Sequence, residues 1–249
     1  MIIHKSRSKV YVFVGPEKTG TTTIFDLLPF KRLPAQKEMF ILSRRHAPEA
    51  EVARIEAQLA TQEAAFIVEP TYFVSTFARE TLAGLAGRYD MHVIHTRRDP
   101  VERMVSHYLH HKAKGRVSEP EAAVASYPEI VDASRYETYT ALWQSALRAF
   151  SVIDLDTGTD LAAALAELGI EPRKSSEALR SNQRLAPRSA GLARIASSLW
   201  QILIALGLNR LVPLGLKNRL KGRVYYGGTP VVASEEERAC LTRLLSTTG

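Results

Sequence analysis

Short apolar runs recur along the chain, and a stretch of helical periodicity separates each from the next. Residues 10–14, 66–68, 91–94 and 152–155 are mostly Val, Ile, Phe, Tyr, Leu or Met, with His92 and Asp154 as the polar interruptions. Such runs read as strands buried on both faces, as in a parallel sheet. Between and beside them, apolar residues at helical spacing predict helices over 22–28, 51–61, 75–89, 101–113 and 132–150. Asp99 before Pro100 is a helix start, with Val101, Val105, Tyr108 and Leu109 expected along one face. Ser234 and Glu237 form a capping box that opens a last helix. Strands alternating with helices predict a three-layer α/β/α fold around a mostly parallel sheet. At 249 residues and 45% hydrophobic, the chain suffices for a large core. With no repeat or low-complexity tract, one domain over 1–249 is expected.

Two strand exits carry the candidate chemistry. The first is Gly15-Pro16-Glu17-Lys18-Thr19-Gly20-Thr21-Thr22-Thr23. The two glycines have the spacing of the phosphate loop G-x-x-x-x-G-K-[ST], but Thr21 stands where that motif has lysine, and Lys18 lies inside the loop. Backbone N–H groups around residues 19–22 suit an oxyanion at a helix start. The second exit is His95-Thr96-Arg97-Arg98-Asp99-Pro100-Val101-Glu102-Arg103-Met104-Val105-Ser106. There the Arg98 guanidinium and the Ser106 hydroxyl suit a second phosphate.

Together the displaced-lysine loop and the R-D-P-V-x-R-x-x-S stretch resemble the sulfotransferases that use 3'-phosphoadenosine 5'-phosphosulfate, especially the carbohydrate and heparan-sulfate type. The resemblance runs from about Val10 to Lys114 and returns at Lys221-Gly222-Arg223, which is similar to that family's basic loop over the nucleotide. It implies a P-loop nucleotide-binding fold and that Lys18 stabilises charge on the oxygen bridging phosphate and sulfate. It further implies that Lys18, Thr19, Gly20, Thr21, Thr22 and Thr23 hold the 5'-phosphosulfate, and that Arg98 and Ser106 hold the 3'-phosphate. The product would be 3'-phosphoadenosine 5'-phosphate, and no metal is required. Gln36-Lys37-Glu38-Met39-Phe40 resembles the family's Lys-Glu-x-x-Phe stretch, which makes Glu38 the expected base for the acceptor proton, with Met39 standing where the family has histidine. Glu69, in Phe66-Ile67-Val68-Glu69-Pro70-Thr71-Tyr72-Phe73, is the rival, and a histidine base is a third alternative. Here Lys37 substitutes for a lysine the family carries before that second stretch. The acceptor is expected to be a saccharide or other glycoconjugate hydroxyl.

Charge sharpens the picture. The stretch 172–223 holds eleven Lys or Arg against the single acid Glu177, in a chain of net charge +7. It predicts a face for an anion: the donor nucleotide, a sulfated glycan or a membrane surface, with nucleic acid unsupported by any motif. His107, His110 and His111, followed by Lys112 and Lys114, read as a solvated basic helix end. Leu192, Ile195, Leu199, Ile202, Leu203 and Leu206 recur at helical spacing beside Trp200, Arg194 and Arg210. The uncharged run is too short to span a bilayer and reads as a helix packed on the core, with an interfacial helix as the alternative. Met1 leads through a basic segment directly into the first strand, and Cys240 is the only cysteine. A cytoplasmic enzyme, at most peripheral to the inner membrane, is therefore expected. The alternative functions are a P-loop kinase or hydrolase using ATP and Mg²⁺, and a nucleotide-binding protein without turnover.

Overall fold

The computed structural model describes residues 8–28, 48–155, 159–173, 195, 198–199, 202–203 and 231–247. They fall into two compact units, Met1–Arg103 with Arg135–Arg180, and Met104–Ser134 with Ser181–Gly249. The fold is mixed α/β.

The first unit is built on β1 (Lys9–Phe13), β2 (Ala64–Val68), β3 (Asp90–Arg97) and β4 (Ala149–Asp154). They form one all-parallel sheet in the order β2-β1-β3-β4. Val12 pairs with Ile67 on one side and Val93 on the other. The helices of this unit are α1 (Thr21–Leu27), α2 (Pro48–Leu59), α3 (Thr76–Leu85), the first turn of α4 (Pro100–Ala113), and further along α7 (Tyr136–Ala146) and α8 (Leu161–Glu167). Alternate β1 residues bury to opposite faces. Tyr11 and Phe13 join Ile24 and Leu27 of α1, Ile94, and Leu161 and Leu165 of α8 in one cluster. On the other face of β3, His95 lies against Phe73 and Tyr136, and Trp143 Nε1 donates to the Phe73 carbonyl at 3.0 Å. Double-sided burial is why β1, and β3 apart from its histidines, read as apolar runs.

Helix starts follow the expected chemistry. Ser75 Oγ accepts from the Ala78 N–H at 3.1 Å and Asp99 Oδ1 from the Glu102 N–H at 2.8 Å. The single helix expected over 132–150 is corrected. Four-residue α6 (Glu129–Asp132) ends at its first residue, α7 runs only from Tyr136 to Ala146, and Leu147 turns to extended backbone. β4 then starts at Ala149 and pairs with His92. The helical period runs on through Leu147 and Phe150, but pairing with β3 satisfies a row of backbone groups that a longer helix would leave facing the sheet edge.

The second unit contains the remainder of α4, α5 (Pro120–Ser126), α6 and α9 (Glu235–Thr247). The capping box at α9 forms as expected: Ser234 Oγ accepts from the Glu237 N–H at 3.2 Å, and Glu237 Oε2 accepts from the Ser234 N–H at 2.8 Å. The other Glu237 oxygen accepts from Tyr108 and Lys112. His107 and His111 are buried, and His111 stacks on Tyr127 with ring centroids 3.8 Å apart. The solvated helix end expected for these two histidines is therefore corrected. Of the helix expected to pack on the core around 192–206, Ile195, Leu199 and Ile202 are instead 60%, 56% and 53% exposed and Leu203 is half-buried, while Leu192, Trp200 and Leu206 lie outside the described residues. Among the described residues no helix is long and apolar enough to cross a membrane.

Candidate functional site

After β1 the chain crosses to β2 on one side, then returns to place β3 on the other. The C-terminal ends of β1 and β3 are therefore a topological switch point, the place where open parallel sheets leave a crevice for a ligand. Both motifs leave the sheet there. The Val14 N–H still bonds the Ile94 carbonyl at 3.1 Å, so the strand register carries into the loop.

Gly15 sits directly against β3. A Cβ there would stand 1.7 Å from Thr96 Oγ1, 2.6 Å from Thr19 Oγ1 and 2.7 Å from the Thr96 carbonyl oxygen. The buried Thr19 hydroxyl donates to the Pro16 carbonyl at 2.6 Å and lies 3.1 Å from Thr96 Oγ1. Its hydroxyl thus ties the loop to itself and to β3 rather than facing a ligand. Lys18 has φ 75°, and among the described residues it is the only non-glycine in the left-handed region. Gly20 follows at φ 72°, ψ 8° as the residue before α1. The sign of φ alternates across Lys18, Thr19 and Gly20, and the Thr19 N–H donates to the Pro16 carbonyl at 3.3 Å. Gly20, as the residue before α1, offers no side chain to cap the helix, and the first turn carries no acid. α1 has only 7 residues, so its dipole adds little and the loop itself is the main electropositive feature. Thr21 is buried, Thr23 half-buried and Thr22 exposed at the head of this helix.

Arg98 leaves β3 beside this loop, with Nη2 3.9 Å from Glu102 Oε2, a loose i,i+4 pair that a phosphate would outcompete. Its neighbour Arg97 is committed elsewhere, paired through Nε and Nη2 to the two carboxylate oxygens of Asp154 at the end of β4. Tyr136, buried at the start of α7, lies near Arg98 and Arg103. Burial pushes its hydroxyl up to about 12, with the charges of Arg103 and Arg98 and the Arg98 backbone pulling the other way. Ser106 is buried within α4, in the part of that helix belonging to the second unit.

Glu69 leaves β2 at the same edge of the sheet, its N–H bonded to the Phe13 carbonyl at 3.3 Å. The carboxylate is buried and caps the short 3-10 turn Pro70–Tyr72, accepting from the Thr71 N–H at 3.2 Å and the Thr71 hydroxyl at 2.8 Å. That commitment suits a structural role better than a proton shuttle. His95 is fully buried, its Nδ1 3.0 Å from Thr140 Oγ1. Burial first, and the Arg97 charge second, lower it to about 4, so it stays neutral and inside the core. Glu38, Lys37, Lys221, Gly222 and Arg223 lie outside the described residues.

Three neighbours of the site escaped sequence reasoning. Thr96 takes its place because β1 and β3 pair Phe13 with Ile94, which sets Gly15 opposite Thr96 two residues on. Leu155 comes within 2.6 Å of a Cβ built on Gly20, and Tyr136 arrives from a distant helix. Only the first had a legible signal, a small hydroxyl residue just before the strand exit. Compared with protein-family models and with curated proteins, the chain matches none.

Proposed function

We propose that this chain is a cytoplasmic sulfotransferase of P-loop, three-layer α/β/α type. It moves a sulfuryl group from 3'-phosphoadenosine 5'-phosphosulfate to a hydroxyl of a saccharide or glycoconjugate. The observation that carries the reading is the glycine-flanked loop at the β1–β3 switch point, with Lys18 held in a left-handed conformation inside it and Arg98 leaving the adjacent strand. A loop with its cation between the glycines, and a second cation one strand away, suits a ligand bearing two separate phosphates better than a linear triphosphate.

The donor supplies an activated sulfuryl group on a phosphate leaving group. Loop N–H groups, with Thr21, Thr22 and Thr23, bind the 5'-phosphate end. The Lys18 ammonium stabilises the negative charge that grows on the bridging oxygen, a preorganised contact of the kind that dominates such transfers. Arg98 and Ser106 recognise the 3'-phosphate, with the basic loop of Lys221, Gly222 and Arg223 over the nucleotide. Glu38 accepts the acceptor hydroxyl's proton, a contribution of roughly 100- to 10,000-fold. The carboxylates of Glu69, Asp99 and Asp154 at this edge are already engaged by Thr71, the Glu102 N–H and Arg97, so none of the three is assigned the base's role here.

Calorimetry with 3'-phosphoadenosine 5'-phosphate, ADP and ATP, with and without Mg²⁺, tests the donor. Metal-independent preference for the 3'-phosphate, lost in Arg98→Ala, is expected; preference for ATP with Mg²⁺ overturns the proposal in favour of a kinase. In Glu38→Gln, turnover should vanish while nucleotide binding persists.

A further inference from the structure

Among the buried polar groups of the first unit, the Tyr136 hydroxyl is one that packing does not require. The residue is 4% exposed, and its ring stands edge-on to Phe73 with centroids 6.1 Å apart and to His95 at 5.4 Å. Phenylalanine would fill the same space. The oxygen is buried and closes no hydrogen bond. Polar groups beside it are spent on other partners: Trp143 Nε1 donates to the Phe73 carbonyl, and His95 Nδ1 lies 3.0 Å from Thr140 Oγ1. His95 Nε2 also closes no hydrogen bond, but no backbone group of the strand exit acts on it. A buried hydroxyl without a partner costs stability, and such groups persist where function requires them.

What surrounds the hydroxyl indicates its use. After burial itself, the strongest influences on it are the Arg103 guanidinium, the Arg98 backbone N–H and the Arg98 guanidinium, with Asp99 opposing them. The Arg98 N–H pulls on the oxygen from the exit of β3 without reaching good hydrogen-bond geometry, and it makes no bond to another backbone group among the described residues. Its side chain is held no better, 3.9 Å from Glu102 and 29% exposed. Arg98 is thus fixed neither at its backbone nor at its guanidinium in the free protein, and an acceptor oxygen stands next to it. Hydrogen bonds at a ligand site are often long before the ligand arrives and tighten when it binds.

We propose that Tyr136 is a positioning residue for the second phosphate: its hydroxyl accepts from the Arg98 N–H when the ligand draws the guanidinium away from Glu102, and so fixes the strand exit from which Arg98 reaches. This rests on the nucleotide reading above and deepens it, because discrimination for the 3'-phosphate then depends on α7 as well as on the end of β3.

Calorimetry with 3'-phosphoadenosine 5'-phosphate and with adenosine 5'-monophosphate, which lacks only the 3'-phosphate, tests this on wild type, Tyr136→Phe, Arg98→Ala and the double variant, with a thermal melt of each. Tyr136→Phe should melt at the same temperature or higher, bind the 3'-phosphorylated nucleotide about fivefold more weakly and bind the monophosphate as wild type does. In the Arg98→Ala background the same substitution should change neither affinity. An unchanged ratio of the two affinities in Tyr136→Phe overturns the inference and leaves the proposed function standing. A lower melting temperature would make the hydroxyl a structural group and overturn it too. So would a further loss in the Arg98→Ala background, which would mean that the hydroxyl reaches the phosphate without acting through Arg98. Wild type with no preference for the 3'-phosphate defeats the proposed function first, and the inference with it.

Discussion

Gly15→Ala probes the closest packing in the site. The added methyl would stand 1.7 Å from Thr96 Oγ1, 2.6 Å from Thr19 Oγ1 and 2.7 Å from the Thr96 carbonyl. The two hydroxyls can rotate away only by giving up the 3.1 Å Thr19–Thr96 contact and straining the 2.6 Å bond from Thr19 to Pro16. The carbonyl belongs to a central strand and cannot yield without moving β3. Overpacking of this kind costs about 1–3 kcal/mol, and the lost hydrogen bond about 1 kcal/mol. A total near 3 kcal/mol lowers the melting temperature by roughly 6–12 °C for a chain of this size. Nucleotide affinity should fall with it, because the loop can escape only by moving away from β3. Thr96→Ala removes the 1.7 Å clash but not the carbonyl, so the double variant should recover part of the loss, with a coupling of about 1 kcal/mol. Circular dichroism melts and calorimetry read both quantities. A Gly15→Ala protein that melts and binds nucleotide like the wild type would refute the packing argument.

Four further expectations follow from single contacts. His95 is lowered from 6.5 to about 4 by burial, so the unfolded chain takes up a proton the native state refuses; stability should fall by up to about 3 kcal/mol as pH drops from 6.5 towards 4, and His95→Gln should flatten that part of the profile. Glu237→Gln weakens the acceptor for Tyr108, Lys112 and the Ser234 N–H at once and should cost about 2 kcal/mol in urea unfolding, against no change if the three bonds are incidental. Cys240 Sγ donates to Glu121 Oε1 at 2.9 Å, and burial raises the thiol, so iodoacetamide should label it only on unfolding; rapid native labelling would contradict its burial. Lys18→Gly should relieve a left-handed backbone and leave stability equal or higher by up to about 1 kcal/mol while transfer is lost, whereas a destabilised variant would mean that the lysine is structural.

What the sequence disclosed depended on whether a feature was local. β1, β2 and β3 were legible because strands covered on both faces are predominantly apolar, His92 and His95 in β3 notwithstanding. β4 buries only Ile153; the run 152–155 marked its second half, but its first two residues were read as the end of the helix expected over 132–150. Caps at Asp99 and Ser234 were legible because capping is settled within four residues. His107 and His111 were misread for a longer-range reason. With α5 and α6 absent from the expected elements, nothing remained to cover that side of α4, and Tyr127, which stacks on His111, lies between those two helices. At the site, glycine spacing disclosed the loop. The contact of Gly15 with Thr96 required the β1–β3 register, and Tyr136 required the return of α7, neither of which any local pattern encodes.

The loop illustrates how these two kinds of information combine. A left-handed lysine costs about 1–2 kcal/mol and survives only where neighbours over-determine the backbone. Here those neighbours are identifiable. Gly15 is pressed against β3, Thr19 is tied to Pro16 and to Thr96, and Gly20 hands the chain to α1 with its carbonyl accepting from the Ile24 N–H at 3.0 Å. Lys18 lies between fixed points on both sides, so its strain is held by packing that a ligand need not supply. A loop set in advance pays no ordering entropy on binding, and that preorganisation is what an electrostatic stabiliser of a leaving group requires. The same logic explains why the threonine hydroxyls divide their work. Thr19, buried, secures the loop, while Thr22, exposed one turn later, remains at the surface where a phosphate would arrive.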